Sequence, residues 1–153
     1  MWRVPMTDKP TGPSTVAARI LVVDDFGPWR LSACWRLEAH KHLQVVGEAE
    51  DGLEAIRKAE ELKPDMVLMD IGLPNLNGIE AARWIGKLIP EAKILFLTQH
   101  NDTGLMKAAL SSGGRGYVLK EDAESELLPA IEAVLRGEKF VSVRLRECLL
   151  ANC

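Results

Sequence analysis

The sequence predicts an α/β fold, a doubly wound parallel sheet of five strands with five helices packed on its two faces. Short apolar runs bounded by turn residues recur along the chain, as expected for strands buried in a parallel sheet. Between these runs, apolar residues recur at the spacing of one helix face. Because strand and helix patterns alternate throughout, the connections are predicted to be right-handed crossovers within one sheet.

The predicted strands are rich in branched aliphatic residues, which suit a pleated and buried surface. The first contains the run Ile20-Leu-Val-Val23, and the later strands repeat runs of this kind. Each run is too short for a typical helix, which favours the strand assignment. The predicted strands cover residues 20–24, 43–48, 65–70, 94–98 and 116–119.

The predicted helices lie between the strands and after the last one. Pro28 stands at a suitable first helical position, and Gly137 follows the last apolar residue as a helix stop. Pro129 falls inside the last helical pattern, so we expect that helix to begin near Ser125 or to bend there. The predicted helices cover residues 28–41, 52–62, 78–88, 103–111 and 124–136.

Composition excludes several classes of protein. The chain has 153 residues, 47% of them apolar and 27% charged, which is typical of one globular domain. A net charge of −3 gives no electrostatic footprint for nucleic acid, and no apolar stretch reaches the ~20 residues that cross a bilayer. The cysteines form no Cys-x-x-Cys pair, which favours a reducing cytoplasm. Residues 1–18 are proline-rich and lack an apolar signal-peptide core, so we expect a disordered leader there.

Four of the predicted strands end on polar residues that are suited to chemistry: Asp24 and Asp25, Asp70, Thr98 and Lys120. The carboxyl ends of strands in an open α/β sheet line one crevice, so these side chains are expected to meet there. Three neighbouring carboxylates repel one another and favour Mg²⁺, which leaves coordination positions for a phosphoryl oxygen. A lysine and a hydroxyl group bind phosphate, and a carboxylate can accept a phosphoryl group. The pattern therefore indicates phosphoryl transfer to an aspartate.

Four motifs resemble those of the receiver domain of bacterial two-component response regulators, the CheY-like family. They are Leu21-Val-Val-Asp-Asp25, Asp70-Ile-Gly-Leu-Pro-Asn-Leu-Asn-Gly78, Leu97-Thr98 and Gly116-Tyr-Val-Leu-Lys120, in the order and spacing of the family. The resemblance covers residues 19–137, the predicted receiver domain, and implies a flavodoxin-like sheet with strand order 2-1-3-4-5. It also implies phosphorylation of an aspartate by a sensor histidine kinase or a phosphotransfer protein.

The resemblance assigns the phosphoacceptor role to Asp70. It assigns a direct Mg²⁺ contact to Asp25, with Asp24 helping through water, and it adds Asp70 and the backbone carbonyl of Gly72 to the metal site. Many relatives carry a larger side chain at the position of Gly72, where it influences how fast water removes the phosphoryl group. Asp24 has a second interpretation from the residues alone, in which its side chain caps the helix that starts near Pro28.

By the same resemblance, Thr98 and Lys120 bind the phosphoryl group, and Tyr117 occupies the position of the family's switch aromatic residue. Thr98 and Tyr117 are then expected to reorient together. Their movement would change the binding properties of the face formed by the fourth helix, the fifth strand and the fifth helix, which is also the expected homodimer interface. Tyr117 equally fits a plain packing residue of its strand.

The last part of the chain, residues 138–153, is similar to the connector that precedes the DNA-binding helix-turn-helix in NarL/LuxR-type response regulators. Two interpretations stay open, a transcription regulator whose output domain is missing and a single-domain receiver. We expect no direct binding to nucleic acid or membrane by this chain, and no enzymatic activity beyond slow self-dephosphorylation. An aspartate-nucleophile phosphatase is the less favoured alternative, because such enzymes usually place a second aspartate where this sequence has Gly72.

Overall fold

The computed structural model describes residues 16–150, and its centre is one parallel sheet. The strands are β1 (Ala18–Val23), β2 (Leu43–Ala49), β3 (Met66–Met69), β4 (Lys93–Thr98), β5 (Gly114–Leu119) and β6 (Phe140–Val141). They lie in the order β2-β1-β3-β4-β5-β6, and every neighbouring pair is parallel. The predicted fold class and the predicted order of the first five strands are therefore confirmed.

Helices connect the strands on both faces of the sheet. They are α1 (Gly27–Glu38), α2 (Gly52–Leu62), α3 (Gly78–Leu88), α4 (Thr103–Ser111), α5 (Ala123–Leu135) and α6 (Val143–Leu150). A single 3₁₀ turn, Lys120–Asp122, leads from β5 into α5. None of the helices within residues 16–150 is long and apolar enough to cross a membrane.

The structure adds a sixth strand and a sixth helix to the five of each that the sequence predicts. β6 is only two residues long, which is too short to show the periodicity of a strand. It forms because the edge of β5 offers free backbone groups, with Gly116 opposite Phe140 and Tyr117 opposite Val141. The predicted boundary between receiver and connector at residue 137 stays a prediction.

Two sequence-based boundaries differ from the structure. β1 already begins at Ala18, the last residue of the predicted leader, and residues 1–15 of that leader lie outside the described part of the chain. α5 begins at Ala123, before the predicted start near Ser125, and continues through Pro129. Proline lacks the N–H that a helix interior uses, so the tertiary contacts of α5 outweigh this local cost.

The core lies in two layers, one on each face of the sheet. Alternate strand residues point to opposite faces, so Val67 and Met69 of β3 belong to one layer, and Met66 and Leu68 belong to the other. α2, α3, α4 and α6 cover the first layer, and α1 and α5 cover the second. Because both faces are covered, polar groups with chemical roles are left to the ends of the strands.

The loops at the carboxyl edge of the sheet are fixed by helix capping. Asp51, Asn77 and Asp102 each accept a backbone N–H hydrogen bond in the first turn of α2, α3 and α4, respectively. Capping of this kind satisfies donors that the first turn of a helix would otherwise leave unpaired. The edge at which the predicted site residues lie is therefore framed by well-anchored helix starts.

Candidate functional site

Three carboxylates meet at the carboxyl edge of the sheet. Asp24 and Asp25 follow β1, and Asp70 follows the neighbouring strand β3. One carboxylate oxygen from each residue lies within 4.8 Å of the others. Asp24 and Asp70 are only 5% and 7% exposed, whereas Asp25 is exposed. The structure thus brings together the three acids that the sequence places at strand ends.

Lys120 is the cation of this cluster. It follows β5, and its Nζ lies 2.8 Å from Asp24 Oδ2 and 3.1 Å from Asp70 Oδ2. The indole ring of Trp29 also faces the ammonium, with 5.2 Å between Nζ and the ring centroid, a distance typical of a cation–π contact. The lysine side chain is 9% exposed, so one buried ammonium links two buried carboxylates.

Burial and the neighbouring charges shift the pKa values of this ion pair. Burial raises the pKa of Asp24; hydrogen bonds from Lys120 and the Phe26 N–H oppose that shift, and the charge of Asp70 adds to it. Burial alone would lower the pKa of Lys120, but the hydrogen bond to Asp24 and the charges of both aspartates outweigh it and raise that pKa. Lys120 is therefore cationic at neutral pH, in a cluster whose carboxylates outnumber it.

The carboxylate of Asp70 is held from two sides. Its Oδ1 accepts the Ile71 N–H at 2.7 Å, and its Oδ2 binds Lys120. Its backbone N–H donates to Val23 O at 3.0 Å, which ties it to β1. A Cβ added to Gly78 would lie 2.0 Å from the carbonyl oxygen of Asp70, so only glycine allows α3 to begin against this residue.

Asp24 stabilises the turn that leads into α1. Its Oδ1 accepts the Phe26 N–H at 2.9 Å, and its backbone carbonyl accepts a hydrogen bond from the Arg30 guanidinium at 2.8 Å. The N-cap residue of α1 is Phe26, without a side-chain capping bond. Asp24 therefore does not cap α1, which was the alternative interpretation of this residue. One oxygen shapes the preceding turn, while the other binds Lys120.

Thr98 and Tyr117 are both fully buried, and the backbone of His100 joins them. The His100 N–H donates to Thr98 Oγ1 at 3.3 Å, and the Tyr117 hydroxyl donates to the His100 carbonyl at 2.7 Å. Burial, followed by the charges of Asp102 and Asp70, raises the pKa of Tyr117, so its hydroxyl keeps its proton. Tyr117 thus packs in the core, its hydroxyl holds the loop after β4, and its switch role stays a prediction.

A cleft of ≈ 430 Å³ opens over the carboxylates. Gly72 forms part of its wall, and a Cβ added to Gly72 would lie 3.4 Å from His100 Nε2. The imidazole ring therefore borders the space that a larger side chain would fill at this position. The cleft is lined by Asp24, Asp25, Phe26, Trp29, Asp70, Gly72, Gln99, His100 and Lys120.

The donor set of the cluster fits a hard divalent cation. Its side-chain ligands are carboxylate oxygens, which Mg²⁺ prefers, with no sulfur or imidazole nitrogen of the kind that selects zinc. Within residues 16–150, Asp24, Asp25 and Asp70 form the only group of three or more such side chains close enough to share an ion. His40 and His42, with ring centroids 5.8 Å apart, belong to no such group.

His100 was not predicted from the sequence as a site residue. Its backbone N–H and carbonyl contact Thr98 and Tyr117, and the residue also lines the cleft. The available signal was its position, two residues beyond the end of β4 at the same sheet edge. Its contacts with Thr98 and Tyr117 use backbone atoms, so its side-chain type carried no indication of them.

The geometry agrees with comparisons to known proteins. A family model described as the response regulator receiver domain matches residues 20–132. Over 131 residues, the chain is 36% identical to the response regulator GacA of Pseudomonas viridiflava, a match that covers 86% of this chain and 61% of that protein. The chain thus spans about three fifths of the length of the curated relatives it matches.

Two solved structures show the same fold. One is a two-component response regulator of the LuxR family from Aurantimonas sp. SI85-9A1, with 38% identity, a TM-score of 0.82, and coverage of 86% of this chain and 94% of that one. The other is the isolated receiver domain of RcsB from Salmonella enterica serovar Typhimurium with the phosphomimetic BeF₃⁻. It has 26% identity, a TM-score of 0.80, and coverage of 86% and 97% of the two chains.

Proposed function

Because this chain belongs to the response regulator receiver domain family, we propose that it is a phosphorylation-controlled switch whose phosphoacceptor is Asp70. The observation that carries the proposal is the buried Asp70 carboxylate, which shares Lys120 with Asp24 and lies beside Asp25. Phosphoryl transfer needs positioning and charge neutralisation more than covalent help from the protein. This cluster supplies both at one edge of the sheet.

In the proposed reaction, an oxygen of Asp70 attacks the phosphorus of a phosphohistidine on a sensor kinase or a phosphotransfer protein. The new P–O bond forms as the P–N bond breaks, and the freed imidazole takes up a proton. The hydrogen bond from the Ile71 N–H fixes one carboxylate oxygen of Asp70. Lys120, now held between two carboxylates, is close enough to pair with the transferred phosphoryl group.

Asp24, Asp25, Asp70 and the backbone carbonyl of Gly72 are the proposed Mg²⁺ ligands. When bound, Mg²⁺ neutralises the negative charge that gathers on the carboxylates and the phosphoryl oxygens. Two of these acids are buried and one is exposed, so the site is reachable from the cleft. The carboxylate excess over the single ammonium supports a requirement for such a cation.

Thr98 and Tyr117 are the proposed switch residues. Thr98 Oγ1 accepts the His100 N–H at 3.3 Å, and a hydroxyl that accepts one hydrogen bond can still donate its own proton, which we propose it does to a phosphoryl oxygen. A shift of Thr98 would reach Tyr117 through the His100 backbone. We propose that this shift changes the affinity of the α4–β5–α5 face for partners, including a second copy of the chain.

The proposal places the protein in the cytoplasm, where histidine kinases present their phosphohistidine, and Cys34 is buried as a free thiol. We propose that the protein controls transcription as its output, by analogy with the LuxR-family relative. The acidic net charge of −3 favours an effect through a partner or an attached domain over direct DNA binding by this chain.

The test is phosphorylation of the full chain with acetyl phosphate and Mg²⁺, followed by intact-mass measurement. One added phosphoryl group is expected, and both Asp70→Asn and removal of Mg²⁺ by EDTA should abolish it. Asp65→Asn is the matched control, because Asp65 lies at the other end of β3 and accepts the Arg19 N–H instead. An unmodified wild-type chain with intact circular dichroism would refute the proposal.

The same reaction separates the switch from a phosphatase. A switch retains a single phosphoryl group and releases it slowly, with phosphate release at most stoichiometric over minutes. Rapid and sustained turnover of a small phosphoester would instead favour the aspartate-nucleophile phosphatase. Gly72 offers no acid or base beside Asp70, which favours the first outcome.

A further inference from the structure

Ser142, between β6 and α6, is fully buried, and its hydroxyl group and backbone N–H bind residues of β5 and α5. Its backbone N–H donates to Tyr117 O at 2.9 Å, and its Oγ accepts the Leu119 N–H at 2.9 Å. The hydroxyl in turn donates to one carboxylate oxygen of Glu126, whose other oxygen accepts the Val143 N–H at 3.1 Å. The start of α6 is therefore fastened to β5 and α5.

Arg144, two residues after Ser142, makes a second attachment. Its guanidinium binds both carboxylate oxygens of Asp122, at 3.1 and 2.9 Å, and lies 3.7 Å from Glu121. Both acids belong to the 3₁₀ turn that begins with Lys120. A bidentate arginine–carboxylate pair fixes orientation as well as distance.

Residues 140–150, which we call the C-terminal segment, also cover part of the sheet. β6 occupies the outer edge of β5, and Leu145 of α6 is 2% exposed. Leu145 belongs to the same core layer as Tyr117 and Met106, and α6 contacts α4. The C-terminal segment therefore occupies part of the α4–β5–α5 face on which the proposed partner binding depends.

Lys120 connects the carboxylate cluster to the contacts that hold the C-terminal segment. Its side chain binds Asp24 and Asp70, while its neighbours in the chain, Leu119 and Asp122, are bound by the C-terminal segment. These bonds fit the present position of residues 119–122. A displacement of that stretch lengthens several of them at once, since hydrogen bonds weaken steeply with distance and angle.

We propose that phosphorylation of Asp70 loosens the C-terminal segment and thereby exposes the part of the α4–β5–α5 face that the segment covers. This inference rests on the proposed function, since it describes how that site is read out. A phosphoryl group adds bulk and charge where Lys120 now meets Asp70, so residues 119–122 must readjust around it. By thermodynamic linkage, a weaker attachment of the segment must in turn favour the phosphorylated form.

The first test is hydrogen exchange of the full chain with and without beryllofluoride and Mg²⁺. The Ser142 amide donates to Tyr117 O and the Val143 amide donates to the Glu126 carboxylate, so these two amides report the attachment directly. Peptides within residues 140–147 should exchange at least about fivefold faster in the loaded protein, the lower end of usual coupling strengths. Asp70→Asn should show no such change.

The second test uses the reciprocity of the coupling. Arg144→Ala removes the ion pair with Asp122 and should lower the beryllofluoride concentration for half-saturation by about two- to fivefold, within the range of exposed ion pairs. Ser142→Ala should have a larger effect, because it leaves the buried Leu119 N–H without its acceptor. Arg136→Ala is the control, because its exposed pair with Glu138 lies away from the site.

The outcomes separate the inference from the function on which it rests. If the wild-type chain takes up neither beryllofluoride nor a phosphoryl group, the proposed function fails. If Asp70 is loaded but exchange within residues 140–147 is unchanged or slower, the inference is overturned and the proposed function stands. Equal beryllofluoride affinities of the Arg144→Ala and Arg136→Ala chains overturn it as well.

Discussion

Replacement of Lys120 by methionine should destabilise the protein strongly in the absence of divalent cations. The substitution keeps a long, flexible side chain beside Trp29 but removes the charge shared by Asp24 and Asp70. Two buried carboxylates are then left facing each other without a counter-ion. Removing one member of a buried ion pair is among the few single changes that cost several kcal/mol.

The magnitude follows from the distances. Contacts of 2.8 and 3.1 Å each correspond to about 5–6 kcal/mol of attraction at an effective dielectric constant of about 20, much of it offset by desolvation. The two carboxylates have oxygens within 4.8 Å of each other, so their repulsion is at least about 3.5 kcal/mol on the same basis. After desolvation is subtracted from the lost attraction, we expect a loss of about 3–5 kcal/mol, the range found for broken buried pairs.

The assay is urea unfolding at pH 7.5 in EDTA, followed by circular dichroism, for the wild type and Lys120→Met. The urea concentration at the midpoint of unfolding should fall, while the slope of the unfolding free energy against urea concentration stays the same. Saturating Mg²⁺ should reduce the deficit, because the cation neutralises the same carboxylates. Lower pH should reduce it too, because burial already raises the pKa of Asp24 and loss of Lys120 removes a cause that lowers it.

Lys107→Met is the matched control, because Lys107 is exposed on α4 and its loss should change stability by less than about 0.5 kcal/mol. A Lys120→Met chain that is as stable as the wild type in EDTA would refute the electrostatic reasoning. A deficit that Mg²⁺ leaves unchanged would show that the loss comes from packing against Trp29 and not from charge.

Two further predictions concern the frame around the site. Gly78→Ala should destabilise by more than about 3 kcal/mol in thermal unfolding, because its Cβ would lie 2.0 Å from Asp70 O, whereas Gly86→Ala in the same helix has open space and should stabilise by about 0.5–1 kcal/mol. Asp51→Ala should cost about 1 kcal/mol at pH 7, because Asp51 caps α2 through the Glu54 N–H. That hydrogen bond lowers the pKa of Asp51, so its stabilising effect is full above the unfolded-state pKa and is lost as the pH falls through the folded-state pKa. The unfolding free energies of the wild type and the Asp51→Ala chain should therefore differ fully at pH 7 and begin to converge only as the pH falls below 3.8, the ordinary pKa of the carboxyl group.

The elements that the sequence predicted well are those that depend on local periodicity. β3 was predicted at residues 65–70 and spans Met66–Met69, because a fully buried strand is a continuous apolar run between turn residues. The convergence of Asp24 and Asp70 followed from topology, because neighbouring parallel strands end at the same edge. These inferences need no knowledge of side-chain conformation.

The features that escaped prediction depend on contacts between distant parts of the chain. β6 exists because β5 has a free edge, and its own two residues show no strand pattern. The role of His100 lies in the direction of its backbone N–H and carbonyl, which no residue type reveals. The ion pair between Lys120 and Asp24 depends on a side-chain conformation that is set by the tertiary contacts of the folded site.

The charge balance of the site explains how the proposed switch and the stability of the resting state can both depend on Lys120. With three carboxylates and one ammonium, the resting cluster is short of positive charge, and Lys120 is shared between Asp24 and Asp70. If Asp70 is phosphorylated as proposed, one carboxylate charge is replaced by a phosphoryl group of nearly two charges, which would draw the ammonium more strongly to Asp70. The backbone of Lys120 leads directly into the residues that Arg144 and Ser142 hold. In the proposed coupling, a change in how the ammonium is shared between Asp24 and Asp70 would therefore reach the C-terminal segment through this stretch of backbone alone.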